Sequence, residues 1–278
     1  MSNVAEVSNL GRISEAFDRL DAEGRKGFIP FLTAGDPDLK TTLELILELD
    51  RVGASIIELG IPFSDPMADG PVIQRASERA LKHNFGVAEV LNLVSSVREK
   101  TDIPIILFTY FNPLLQFGLD KLARSAKQVG VDGVLVTDLT PEEGEDFAAE
   151  LRANDLDMIF LVAPTSTDER LRLVSQRASG FIYAISRAGV TGARSTVSEE
   201  AEKLVARTRR FSDLPVAVGF GISNPQQVAE VQRYADAVVV GSAIVAEIER
   251  VSGTEKVAEQ VGMFASNLLG GGRIGHGR

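Results

Sequence analysis

Three carboxylates stand where catalytic groups could act. Glu58 closes the apolar run ASIIELG (54–60), Asp138 closes DGVLVTDL (132–139), and Asp69 lies in the turn-rich stretch DPMADGP (65–71). A carboxyl at the end of a buried strand faces the barrel mouth or core, where it could do general acid–base work. Two carboxylates in unlike surroundings can divide the acid and base roles between them. On position alone, pairing of Glu58 with a buried cation or a backbone amide is favoured over catalysis, and Asp69 reads as a turn residue ahead of Gly70. Most other acids fall on helix faces, where water solvates them.

The second chemical signal is glycine. The stretches SRAGVTGARS (186–195), GFGISNP (219–225) and VVVGSAIV (238–245) each follow an apolar run. Glycines let backbone N–H groups approach an anion closely, and a helix starting at Ser242 would add its positive end. A phosphate site is therefore expected there. GFGISN lacks the third glycine and the ribose-binding acid of a dinucleotide fingerprint.

These groups need a scaffold, and the chain supplies a regular one. Eight short runs rich in Val, Ile and Phe lie at 27–35, 54–60, 103–110, 132–139, 156–162, 180–186, 214–221 and 235–242. Each is bounded by Gly, Pro or Asp, as expected for strands buried on both faces of a parallel sheet. Amphipathic stretches alternate with them. Residues 38–53 and 119–130 end in Gly53 and Gly130, which suit helix C-termini. Residues 140–155 and 224–236 open on Thr140-Pro141 and Asn224-Pro225, pairs suited to cap and start a helix. Eight βα units close into a (β/α)8 TIM barrel more readily than they remain an open doubly wound sheet. An extra surface helix is expected after Ser8. The second and third strands are about 50 residues apart, so a long loop follows strand 2, the kind of connection that carries function. No domain boundary is visible. One barrel domain is expected over residues 1–278, with a frayed Gly-rich tail from about residue 270.

Composition narrows the chemistry. There are no cysteines among 278 residues, which removes disulfides, thiol nucleophiles and thiolate metal sites. His83 and His276 stand alone, so no metal site is expected; His83 reads as a solvated residue near a helix end. A net charge of −10 disfavours nucleic acid and anionic membranes. No apolar run is long enough to span a bilayer, and the N-terminus lacks signal-peptide order, so a cytoplasmic protein is expected. At this point the reading is a barrel enzyme acting on a small phosphorylated compound through carboxylates. Phosphosugar isomerases, aldolases, decarboxylating synthases and lyases all fit.

The stretch ELGIPFSDPMADGPVIQ (58–74) is more specific. It resembles the signature of the tryptophan synthase alpha chain. The similarity continues, in order, through FIPFLTAGDP (28–37), FTYFNPLLQFG (108–118), GVLVTDL (133–139), YAISRAGVTGAR (183–194), VGFGIS (218–223) and VVVGSAIV (238–245). The resemblance implies retro-aldol cleavage of indole-3-glycerol phosphate to indole and D-glyceraldehyde 3-phosphate. It makes Glu58 the acid–base catalyst and Asp69 the partner of the indole N–H. Tyr183 would offer its hydroxyl near the glycerol chain. Phosphate would lie on Gly192, Gly221, Gly241 and Ser242, and the indole among Phe31, Phe108, Leu135 and Phe220. Thr191 and Gly189 would belong to a lid after strand 6. The chain itself would need no cofactor.

The resemblance also implies a partner, a tryptophan synthase beta chain in an α2β2 complex, which would hold pyridoxal phosphate and receive the indole. Asp65 and Pro66 of the long loop, with Asn112, would form much of that contact. A free-standing indole-releasing lyase and a non-catalytic activator of a beta chain are the alternatives. One departure is visible: the family has a proline after Asp-Leu at the end of the fourth strand, and Thr140 takes that place here.

Overall fold

The computed structural model describes residues 11–185, 194–219 and 221–271, apart from the side chains of 194–198. The chain order is α1 Arg12–Ala22, β1 Gly27–Thr33, α2 Leu39–Arg51, β2 Ile57–Gly60, α3 Pro71–Leu81, α4 Val87–Arg98 and β3 Ile105–Thr109. It continues with α5 Phe111–Phe117, α6 Leu119–Val129, β4 Gly133–Val136, α7 Glu145–Ala153, β5 Asp157–Val162, α8 Asp168–Arg177 and β6 Ile182–Ile185. The last elements are α9 Arg194–Thr208, β7 Val216–Gly219, α10 Pro225–Val231, β8 Ala237–Val240, α11 Ser242–Val251 and α12 Val257–Leu268. The eight strands are parallel and close in sequence order, β8 pairing back to β1. This is the (β/α)8 barrel expected from the sequence.

Strand alternation sorts the side chains into two cores. Outward residues such as Leu32, Leu59, Leu107, Val134 and Phe160 pack under the helices. Inward residues Ile29, Ile56, Ile106, Leu135, Ile159 and Phe181 fill the barrel. Helix α1 completes this inner core. Its Ile13, Phe17 and Leu20 are buried against the barrel interior, and the Phe17 and Phe181 rings lie 5.9 Å apart. The expected surface helix is thus a plug for the N-terminal end of the barrel.

Two boundaries differ from expectation. The long connection expected over residues 61–86 is not one loop, because Gly70 and Pro71 start α3 within it, which buries Ala76, Ser77 and Ala80. Helix α7 begins at Glu145 and not at Pro141. The Thr140 carbonyl accepts the N–H groups of Glu143 and Gly144 at 3.1 and 2.9 Å, closing a turn first. The Thr140 hydroxyl donates to Glu143 and so caps nothing. At α10 the expected cap is present, with Asn224 accepting the Gln227 N–H at 2.9 Å.

Asp132 ties the plug to the barrel. Its buried carboxylate accepts from Arg12 at 2.6 Å, from Arg98 at 2.7 Å and from the Ile105 N–H at 2.7 Å. Removing it takes the charge partner from two guanidinium groups and the acceptor from a strand N–H. Asp132→Ala should lower unfolding free energy by about 3 kcal/mol in urea titrations. A loss within the error of the fit would show that the plug holds without this carboxylate.

Candidate active site

The C-terminal mouth of the barrel opens into a cavity of about 390 Å³, a size ordinary for a small-molecule site. Its wall is largely apolar: Phe31, Ile73, Phe108, Leu161, Ile185 and Val239 contribute. The Phe31 and Phe108 rings meet edge to face with centroids 5.2 Å apart. Such a slot suits a flat aromatic ligand. Among the described residues, the charged groups on this wall are Glu58 and Asp69 alone.

Glu58 reaches the cavity because β2 pairs it with Phe31 on β1 and Ile106 on β3, both inward positions. It is buried, and its Oε1 has no hydrogen-bond partner. Among the described residues, no cation or amide neutralises it. Burial pushes its pKa from 4.5 up to about 8. Tyr183, on β6, lines the same cavity. Burial first, and then the charge of Glu58, hold its phenol well above the ordinary range, so it stays a neutral donor. Gly219 makes room for it, since a Cβ there would lie 2.3 Å from the Tyr183 hydroxyl.

Asp69 comes from the segment after β2. A tight turn forms there, with Met67 N–H to Asp65 O at 2.9 Å and Asp69 N–H to Pro66 O at 3.0 Å. Helix α3 then starts at Pro71 and is braced. Arg79 forks onto Asp36 at 2.7 and 2.8 Å and reaches Glu249 on α11 at 2.8 Å, where Arg75 also binds. Burial pushes Asp69 up to about 6, and the neighbouring Tyr110 hydroxyl opposes that rise. The two cavity carboxyls are thus held apart, one neutral and one ionised at pH 7.

Gly221, Gly241 and Ser242 lie together on the cavity wall. Gly241 precedes α11, and no side chain caps the N–H groups of that helix. An uncapped helix N-terminus at a cavity wall is a ready anion site. Leu135 is fully buried in the inner core and is not part of the cavity wall. Asp138 is exposed and accepts the Phe111 N–H at 2.7 Å, so it caps α5 and does not face the cavity. Asp65 and Asn112 are exposed and Pro66 is half-buried; beside them Met67 is 86% and Leu115 56% exposed. Gly189, Thr191, Gly192 and Phe220 lie outside the described residues. Sequence reasoning missed Leu161, Ile185, Val239 and Tyr110. Alternation could have found the first three, since Leu161 pairs with Tyr183 and Val239 with Gly219.

An apolar cavity with one neutral and one ionised carboxyl, at the C-terminal mouth of the strands, defines a (β/α)8-barrel enzyme of the acid–base kind. Comparison with known proteins narrows this. The family model of the tryptophan synthase alpha chain matches residues 17–270. The tryptophan synthase alpha chain of Citrifermentans bemidjiense is 50% identical over 262 residues, covering 94% of this chain and 98% of that one. That of Dechloromonas aromatica is 51% identical, covering 87% and 90%. Among solved structures, the alpha subunit from Legionella pneumophila superposes with a TM-score of 0.86 at 37% identity, covering 93% and 97%. A chain from the tryptophan synthase a2b2 complex of Pyrococcus furiosus gives 0.82 at 41%, covering 88% and 98%. The chain belongs to the tryptophan synthase alpha chain family, and its reaction is the carbon–carbon lyase step that cleaves indole-3-glycerol phosphate.

The buried proton of Glu58 has a stability signature. The unfolded chain releases it near pH 4.5, the folded chain only near pH 8. Folding therefore becomes less favourable as pH rises through that window, and the penalty is absent below it. Glu58→Gln should raise Tm relative to the native chain at pH 8, with the gain gone at pH 4.5. Melting curves that differ equally at both pH values would show that Glu58 is not held neutral.

Proposed function

We propose that Glu58 carries the proton in this cleavage, and that Asp69 holds the charge which makes it feasible. The observation that carries the reading is a buried, unpartnered carboxyl on the wall of an apolar cavity, its pKa pushed up by burial to about 8. Protonated Glu58 donates to indole C3, and the ring becomes a cation. Asp69, ionised, accepts the ring N–H and stabilises that cation. The Glu58 carboxylate then takes the proton of the hydroxyl on the carbon attached to C3. The C–C electron pair returns to the ring, the carbon becomes the aldehyde of glyceraldehyde 3-phosphate, and Glu58 is protonated again. Tyr183 donates its hydroxyl to the glycerol portion.

Phe31, Phe108 and Phe220 hold the indole in this reading, above Leu135, which supports the slot from the core. Phosphate rests on Gly192, Gly221, Gly241 and Ser242. Gly189 and Thr191 belong to a lid that excludes water. The partner is a tryptophan synthase beta chain in an α2β2 assembly, with pyridoxal phosphate held by that chain. Asp65, Pro66 and Asn112 meet it, in keeping with the exposed Met67 and Leu115 beside them. The whole chain works as one barrel domain. Among the described residues no helix is long and apolar enough to cross a membrane, and we assign the reaction to the cytoplasm.

The test is indole release from indole-3-glycerol phosphate, with and without beta chain. Weak activity alone that rises strongly with beta chain is expected. Full activity unmoved by beta chain would favour a free-standing lyase, and no indole in either case would sink the assignment. The kcat/KM profile should be bell-shaped, falling below about pH 6 as Asp69 protonates and above about pH 8 as Glu58 ionises. Glu58→Gln should cut kcat by roughly 10²-fold or more while substrate still binds. Asp69→Asn should also lose rate, through its missing charge. A Glu58→Gln enzyme of native rate would remove Glu58 from the chemistry.

A further inference from the structure

Tyr110 directly follows β3 and is 3% exposed. Its phenol oxygen accepts the backbone N–H of Ala68 at 2.9 Å, the residue beside Asp69. Its ring is fixed by Phe63, with centroids 5.3 Å apart. An oxygen that accepts in this way keeps its own proton to give elsewhere. Tyr110 and Asp69 share a chamber of about 10 Å³ behind the main cavity, walled also by Thr33, Ser77 and Thr109. Asp69 is the only charged group on that wall among the described residues.

We infer that Tyr110 is a positioning residue for Asp69: its oxygen pins the loop through Ala68, and its proton is given to the Asp69 carboxylate. The inference rests on the role proposed for Asp69. The need for it is electrostatic. Asp69 must stay ionised against an apolar wall, and no Lys, Arg or His lines either cavity among the described residues. Hydroxyls are the donors at hand, and of these the Tyr110 phenol is the one that bears on Asp69. The other ionisable groups facing Asp69 are Glu58 on β2 and Tyr183 on β6, both across the main cavity, and neither adds positive charge. Helix α3 presents only Ile73 and Ser77 to the chamber. The Tyr110 hydroxyl lowers the Asp69 pKa against the pull of burial. Tyr110 itself is pushed up to about 12, first by burial and then by the charge of Asp69, so it keeps its proton throughout the working range.

Tyr110→Phe keeps the ring and its Phe63 contact and removes only the hydroxyl. Indole release should be followed from pH 5.5 to 8.5 with saturating beta chain, for the native chain, Tyr110→Phe, Asp69→Asn and the double variant. We expect kcat of Tyr110→Phe to fall about tenfold, as for loss of one hydrogen bond to a charged group, with KM nearly unmoved. The acid limb of kcat/KM should move to higher pH, because Asp69 then protonates more readily. The double variant should be no slower than Asp69→Asn, since Tyr110 acts through that carboxylate. An acid limb that stays in place, or losses that add in the double variant, would overturn the inference and leave Tyr110 a strut. An Asp69→Asn enzyme of native rate would instead overturn the role of Asp69, and this inference with it.

Discussion

The burial of an uncompensated carboxyl in the barrel mouth is the constraint on which the rest of this structure depends. Left to itself, a glutamate side chain would turn to water or find a cation. Here β2 is only four residues long, and its pairing with β1 and β3 fixes the face on which Glu58 must emerge. A slip of one residue would put Glu58 under the helices and Ile57 or Leu59 into the mouth. The closed eight-strand ring makes such a slip costly, because every strand is paired on both sides. The inner core and the α1 plug then keep the ring filled below the cavity. Rigidity is what allows an unfavourable charge environment to persist and become useful.

The same apolar mouth creates a second problem, the recognition of a phosphate by a chain of net charge −10. No cation lines the described part of the cavity. A lysine or arginine there would draw Glu58 and Asp69 down toward ordinary carboxylate values and erase the difference between them. Backbone N–H groups at the start of α11 avoid that. They attract an anion over a short range, within about one helical turn, and carry no mobile charge. On the proposed reading, the fold keeps anion binding and acid–base chemistry electrostatically separate while placing both on one cavity.

Much of this was legible in the sequence, and the reasons are physical. Each of the eight apolar runs is a strand because a parallel barrel strand is buried on both faces, which leaves a continuous apolar signature. Glu58 stood out because a charge within such a run demands an explanation. Ser242 and its glycine could be read because a helix that begins directly after a strand leaves no room for a cap. The sequence was less informative where several weak preferences compete. At Thr140-Pro141 a local turn won over the helix cap, since the Thr140 carbonyl and hydroxyl could both be satisfied within four residues. Asp138 looked like Glu58 as a strand-end acid. Only the fold shows that it caps Phe111 while Glu58 reaches the cavity. Leu135 could not be told from a pocket residue, because depth along the barrel axis leaves no mark on residue type.

Tyr110 shows how a position between two tasks escapes sequence reasoning altogether. It ends one strand and precedes α5, whose Asn112 and Leu115 are exposed on the outer surface. Its hydroxyl meanwhile holds the loop that carries Asp65, Met67 and Asp69. The exposed segments after β2 and β3 are therefore joined through one buried phenol, next to the carboxylate assigned to the indole N–H. A surface contact that shifted either segment would be felt at Asp69 with little else moving, because the barrel below is closed and packed. On the proposed assembly, this gives the beta chain a short mechanical route to the charge that stabilises the indole cation. The proton carrier Glu58 stays fixed in its strand.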